Sequence, residues 1–170
     1  MIGRGAGAAL AVVGLDQLSK NLVLKSFGVS ECVQQTGIQI TGFFDFVLTC
    51  NHGMSFGLFN HGQGLSVPLF SILVVGVVVV LLFWLSRAQG EILSTAIGMI
   101  IGGAVGNMID RLWGSHGVID FLYFHLGSWY WPAFNVADSA ICIGVAIMLF
   151  DGLLTRRRDL QATGGDDLRP

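Results

Sequence analysis

Read as apolar against polar positions, the chain falls into four long apolar runs separated by more polar stretches. The first, at about 4–25, is interrupted by Asp16-Gln17-Leu18-Ser19-Lys20 and resumes with Leu22-Val23-Leu24. Arg4 followed by the apolar core Ala6–Leu15 is the pattern of a cleaved secretory signal. The resumption, however, supplies the roughly 20 residues that a span needs, so a retained first helix is expected. The second run, at about 65–86, carries no charge from Leu65 to Leu85 and is the clearest span. Its Pro68 falls in the first turn, where proline is tolerated. The third, at about 92–110, repeats Gly98, Gly102 and Gly106 at intervals of four, a small-residue seam that lets another helix approach closely. The fourth, at about 135–155, is followed by Arg156-Arg157-Arg158 and a polar tail over 160–170 that is expected to be disordered in the cytoplasm.

Between the first two runs, residues 28–64 are polar enough to lie outside a bilayer. Ile38-Gln39-Ile40 alternates, as does Phe44-Asp45-Phe46-Val47-Leu48-Thr49, with Gly42 between them. That predicts a short hairpin on the membrane surface. The expected architecture is an all-α integral membrane protein of four transmembrane helices with a small extracytoplasmic β-hairpin platform, one domain over residues 1–159. Four spans leave both termini on one side. Arg4, Arg87 and Arg156–Arg158 fall on that side, which the positive-inside rule makes the cytoplasm. The loops at about 28–64 and 111–134 then face outward. Lys20, Lys25 and Arg111 run against the rule, and two of them, Lys20 and Arg111, sit beside acids. Neither a 20–50-residue repeat nor inverted-repeat symmetry is visible.

Composition agrees. Of the 170 residues, 53% are hydrophobic and 12% charged, against about 25% charged in soluble domains. Net charge is −2, and no basic patch with interleaved aromatics appears, so nucleic acid is not an expected partner. Cys142 lies in an apolar run and reads as a small buried hydrophobe. Cys32 and Cys50 share one outer loop, and whether they pair stays open at this level.

Against so sparse a background of charge, residues 102–138 stand out, holding Asp110, Asp120 and Asp138 among the chain's eleven acids. Carboxylates at the edge of lipid are expensive and point to function. Asn107 and Asn135 each precede an aspartate by three, a spacing that shares a helix face and suits each to orient its carboxylate. With the expected topology, Asp16, Asn51, Asn107, Asp110, Arg111, Asp120, Asn135 and Asp138 all lie near the outer surface. Asp16 and Lys20, four apart, can pair as a structural or a functional couple. Asn107, Asp110 and Arg111 read as scaffold, since a guanidinium holds a carboxylate or carbonyl in fixed geometry. Asp120 and Asp138 have no adjacent cation and form the better pair for proton chemistry, one keeping a proton while the other acts as base toward water. His52, His61, His116 and His125 make no metal-ligand spacing, and no metal or cofactor is expected. A serine or cysteine nucleophile lacks its partners. A proton pathway and a purely structural membrane protein remain open as alternatives.

Five segments together carry a resemblance: Asp16-Gln17-Leu18-Ser19-Lys20, Asn51-His52-Gly53-Met54-Ser55-Phe56, Gly102-Gly103-Ala104-Val105-Gly106-Asn107-Met108-Ile109-Asp110-Arg111, Val118-Ile119-Asp120-Phe121 and Phe134-Asn135-Val136-Ala137-Asp138. In this order they resemble the motif set of the bacterial lipoprotein signal peptidases (signal peptidase II). The resemblance implies a monomeric aspartic endopeptidase of the cytoplasmic membrane. Its substrates would be diacylglyceryl-modified prolipoproteins, cut just before the lipidated cysteine in contact with membrane lipids. It also implies Asp120 and Asp138 as catalytic, with Asn51, Asn107, Asp110, Arg111, Asn135, Asp16 and Lys20 in support, and Trp129, Tyr130 and Trp131 at the interface.

Overall fold

The computed structural model describes residues 1–51, 63–113 and 117–164, and side chains within these except at 35–36, 63–70 and 155–164. His52 to Phe56 of the second motif, His61, His116 and the tail beyond Gly164 lie outside the described residues. The chain is mostly helical: α1 (Ile2–Ser26), α2 (Gln63–Arg87), α3 (Glu91–Trp113) and α4 (Val136–Gly164). Among the described residues two segments are long and apolar enough to cross a membrane, Glu91–Trp113 and the Val136–Leu154 part of α4. The apolar stretch Ser71–Arg87 of α2 is shorter. The first helix carries Arg4, Asp16, Lys20 and Lys25 along its length, which lowers its hydropathy.

The bundle is organised inside out. Leu10, Ile72, Val80, Leu149 and Phe150 are exposed, whereas Asp16, Lys20, Ser94, Asn107, Asp110 and Asn135 are buried. Apolar side chains on the outside and satisfied polar groups within suit a lipid solvent rather than water.

Helix α3 is the centre, packing against α1, α2 and α4. Its glycine seam faces α1: a Cβ at Gly98 would run into the Gly5 backbone, at Gly102 it would lie 2.6 Å from the Ala9 carbonyl oxygen, and at Gly106 2.7 Å from Asp16 Oδ2. Gly103 meets the Ala137 carbonyl of α4 in the same way. The small residues thus bring three helices close enough for short polar side chains to meet. Gly102→Leu is therefore expected to force α1 away from α3 at a cost of about 1–3 kcal/mol. It should lower the detergent melting temperature, and a Gly102→Leu variant as thermostable as the parent would contradict this packing.

The expected hairpin forms as β1 (Gln35–Gln39) and β2 (Phe44–Asn51), but it is only half of a larger sheet. The connection between α3 and α4 adds β3 (Val118–Leu126) and β4 (Trp129–Tyr130), giving the antiparallel order β1-β2-β3-β4. Phe44, Phe46, Phe121, Phe124 and Phe134 interlock across the strands, with the Phe44 and Phe124 rings 4.8 Å apart. These cross-strand contacts depend on pairing between residues about 80 apart in sequence, which no local pattern announces. Cys32 and Cys50 are joined in a disulfide, and Cys142 is exposed rather than buried. Helix α4 also continues to Gly164, beyond the span anticipated from hydropathy.

Candidate active site

The sheet meets the bundle where β3 begins, and there the polar residues of α1, β2, α3, β3 and α4 converge. Asn135 is the N-cap of α4. Its Oδ1 accepts the Asp138 N–H at 2.9 Å while Asp138 Oδ2 accepts the Asn135 N–H at 3.2 Å. This reciprocal capping box explains the Asn-x-x-Asp spacing locally, because both partners satisfy N–H groups that the helix leaves unpaired. The Asn135 amide then reaches beyond its own helix, donating from Nδ2 to Asp120 Oδ1 at 2.7 Å. One buried asparagine thereby bridges Asp120 and Asp138.

Each carboxylate oxygen of the pair has a donor. On Asp120, Oδ1 takes Asn135 and Oδ2 takes Asn51 Nδ2 at 3.0 Å. On Asp138, Oδ2 takes the Asn135 N–H and Oδ1 takes Asn107 Nδ2 at 2.8 Å. The sequence spacing suggested that Asn107 orients Asp110; the structure turns it across the helix interface to Asp138 instead. Asp120 is 2% exposed and Asp138 half-buried. Burial is the main reason the Asp120 carboxyl is pushed up to about 7, with the Asp138 charge adding to it and the Asn51 and Asn135 donors opposing it.

Beneath the pair lies a buried ionic cluster. Lys20 Nζ donates to Asp16 Oδ2 at 2.7 Å and to Asn107 Oδ1 at 3.1 Å, and lies 2.7 Å from Asp110 Oδ2. All three ammonium donors are thus used. Asp16 Oδ1 accepts the Ala137 N–H at 3.0 Å, another unpaired amide in the first turn of α4. Asp110 Oδ2 also accepts the Ile119 N–H at 3.3 Å, which ties α3 to the strand carrying Asp120. The direct contacts of Asp110 are thus with Lys20, Gln17 and β3, and its neighbour Arg111 acts on it only through charge. Arg111 Nη1 donates to the Asn107 carbonyl at 3.2 Å and lies within electrostatic reach of Asp138, Asp110 and Asp120. Gln17 was not anticipated as a site residue. Its Nε2 donates to Asp110 Oδ1 at 2.9 Å and to the Gly106 carbonyl at 3.2 Å. Its position between Asp16 and Lys20, inside a helix meant for lipid, was the available signal.

The candidate site residues thus fall in one cluster: Asp120 and Asp138 at its head, Asn51, Asn107 and Asn135 holding them, Asp16, Lys20 and Asp110 below, and Arg111 beside Asn107. Two hydrogen-bonded carboxyls that interact electrostatically, one buried with a raised ionisation and one half-buried, are equipped for general acid–base chemistry on water.

The family model described as signal peptidase (SPase) II matches residues 8–154, a range that contains the whole cluster. A lipoprotein signal peptidase of Burkholderia cenocepacia is 44% identical over 150 residues, 86% of this chain and 86% of its own length. One from an Azoarcus species is 45% identical over 148 residues, 84% of this chain and 78% of its own. A solved bacterial membrane enzyme matches the fold with a TM-score of 0.73 at 25% identity, covering 90% of this chain and 94% of that one.

Proposed function

The chain belongs to the signal peptidase II family of aspartic peptidases, and from that premise we propose that it removes the signal peptide of diacylglyceryl-modified prolipoproteins, using Asp120 and Asp138 as a catalytic dyad. The observation that carries the dyad is the bridge through Asn135, which joins the two carboxyls while Asn51 and Asn107 satisfy their remaining oxygens.

Asp120, enclosed and with its ionisation near 7, holds the shared proton. Asp138, half-buried at the first turn of α4, is the more accessible of the two to water. Asp138 takes a proton from water as the oxygen attacks the scissile carbonyl, and Asp120 protonates the carbonyl oxygen or the departing amine. Arg111 lends positive charge to the cluster, where developing negative charge is stabilised. The cut falls just before the lipidated cysteine. The four helices cross the cytoplasmic membrane with both termini inside, so the sheet faces outward and the monomer meets its substrate at the lipid surface.

Purified enzyme incubated with a diacylglyceryl-modified prolipoprotein should convert it to the mature size. Failure to do so, with proton flux in liposomes instead, would favour the transport reading. The pH dependence follows from the proton on Asp120. That group is protonated below about 7 and ionised above it, so kcat/KM should fall as pH rises through this region. The apparent value belongs to the coupled pair. A rate that keeps rising well past pH 8 would contradict Asp120 as the acid.

A further inference from the structure

We propose that the Cys32–Cys50 disulfide is a positioning element of the active site, fixing the end of β2 so that Asn51 keeps its hydrogen bond to Asp120. The inference rests on the dyad reading above and adds to it the means by which one carboxyl is held.

The register of the sheet carries the argument. In β2 and β3, Thr49 pairs with Asp120, Cys50 with Ile119 and Asn51 with Val118. Side chains alternate along a strand, so Asn51 shares a face with Thr49 and reaches Asp120 diagonally, while Cys50 between them turns to the other face. The disulfide therefore grips the strand from behind, one residue from the donor that serves Asp120 at 3.0 Å.

On its other side β2 has lost its neighbour at this point. The β1 ladder ends with Gln35 opposite Leu48, so Thr49, Cys50 and Asn51 lie beyond it. Cys32 sits three residues before Gln35, and the bond to Cys50 continues the tether past the last ladder pair. Cys32 is itself buried while Glu31 and Val33 on either side of it are exposed, so the link is the packed point of the segment between α1 and β1. Among the described residues, the ladder pairs of Thr49, Cys50 and Asn51 are all with β3, and the disulfide adds a covalent hold from the β1 side.

Asn51 donates to the Asp120 carboxylate and so favours its charged form; losing that donor moves the ionisation upward. This gives a readout that a general staple of the fold would not produce. The Cys32→Ala/Cys50→Ala double variant, assayed per folded molecule on diacylglyceryl-modified prolipoprotein, should lose roughly tenfold or more in kcat/KM, the scale of one hydrogen bond to a charged group. The alkaline limb of its pH profile should move to higher pH, as it should in Asn51→Leu. Adding Asn51→Leu to the double cysteine variant should then change little, since both act on one contact. If the double variant folds poorly, folded parent enzyme treated in detergent with dithiothreitol gives the same comparison. The reagent's two thiols pass two electrons and two protons to the bond, leaving two cysteine thiols and a cyclic disulfide. A parental rate, or a reduced rate with an unmoved alkaline limb, overturns the role of the disulfide. Asp120→Asn reports the dyad separately: activity in that variant would overturn the dyad and this inference together, whereas its inactivity beside a parental cysteine variant overturns the inference alone.

Discussion

Asp120→Asn and Asp138→Asn should each lower turnover by about four orders of magnitude or more, the scale seen when one member of a catalytic unit is lost. An amide keeps the shape of the carboxyl but cannot exchange a proton. At Asp120 the change removes the acid. At Asp138 it removes the base, while the backbone part of the capping box loses only a charged acceptor at one position. Neither side chain contributes to the ion pairs around Lys20, so both variants should fold. The measurement is single-turnover conversion of a diacylglyceryl-modified prolipoprotein by folded enzyme, with substrate binding followed in parallel. Near-parental processing by either variant would end the dyad assignment.

The largest effect on stability is expected at Lys20. Its ammonium is the cation between two buried carboxyls, Asp16 and Asp110, with side chains almost fully enclosed. Lys20→Met would remove the ammonium that sits between the two acids and pairs with both. Removing one partner of a buried ion pair costs roughly 3–5 kcal/mol. The variant should give little folded protein and a much lower melting temperature in detergent. Partial recovery is expected when Asp110→Asn is added, because one of the stranded charges is then gone. A Lys20→Met enzyme as stable as the parent would mean that the cluster tolerates its charges by other means. Asp110→Asn alone should also destabilise, through the loss of a charged partner for Lys20 and Gln17, rather than by releasing Arg111.

The sequence carried the membrane class, the helix positions and the identity of the polar cluster because each rests on a local signal. Apolar runs of sufficient length, a four-residue glycine interval and acids placed where lipid makes them costly are readable one segment at a time. Pairings across segments were not. Asn107 lies three before Asp110, and helix geometry alone suggested that they act together; the choice of Asp138 depends on how closely Gly103 lets α4 approach. The hairpin was legible from its alternation, but its extension by β3 was not. Val118–Leu126 finds its partner about 67 to 80 residues earlier in the chain, at Asn51 to Phe44. The disulfide was likewise left open, since a shared loop says nothing about the distance between two sulfurs. The capping box of α4 is the intermediate case. Asn135 and Asp138 have its spacing, yet the bridge from the same asparagine to Asp120 belongs to the tertiary fold.

The bond from the Ala137 N–H to Asp16 spans 121 residues, and it bears on the order in which the protein is made. Helices enter the membrane as they leave the ribosome, so α1 must wait for nearly the whole chain before its acid meets the amide that completes it. During that interval Asp16 and Lys20 have only each other and Gln17 within α1, in a setting where polar groups without partners are costly. Association with α3 brings Asn107 and Asp110, and the arrival of α4 closes the cluster. A nascent chain halted after α3 is thus an incomplete assembly rather than a smaller stable one, and it should be a preferred target of membrane quality-control proteases. Pulse-labelling of chains ending at residue 130 should reveal rapid turnover, and supplying α4 as a separate segment should slow it.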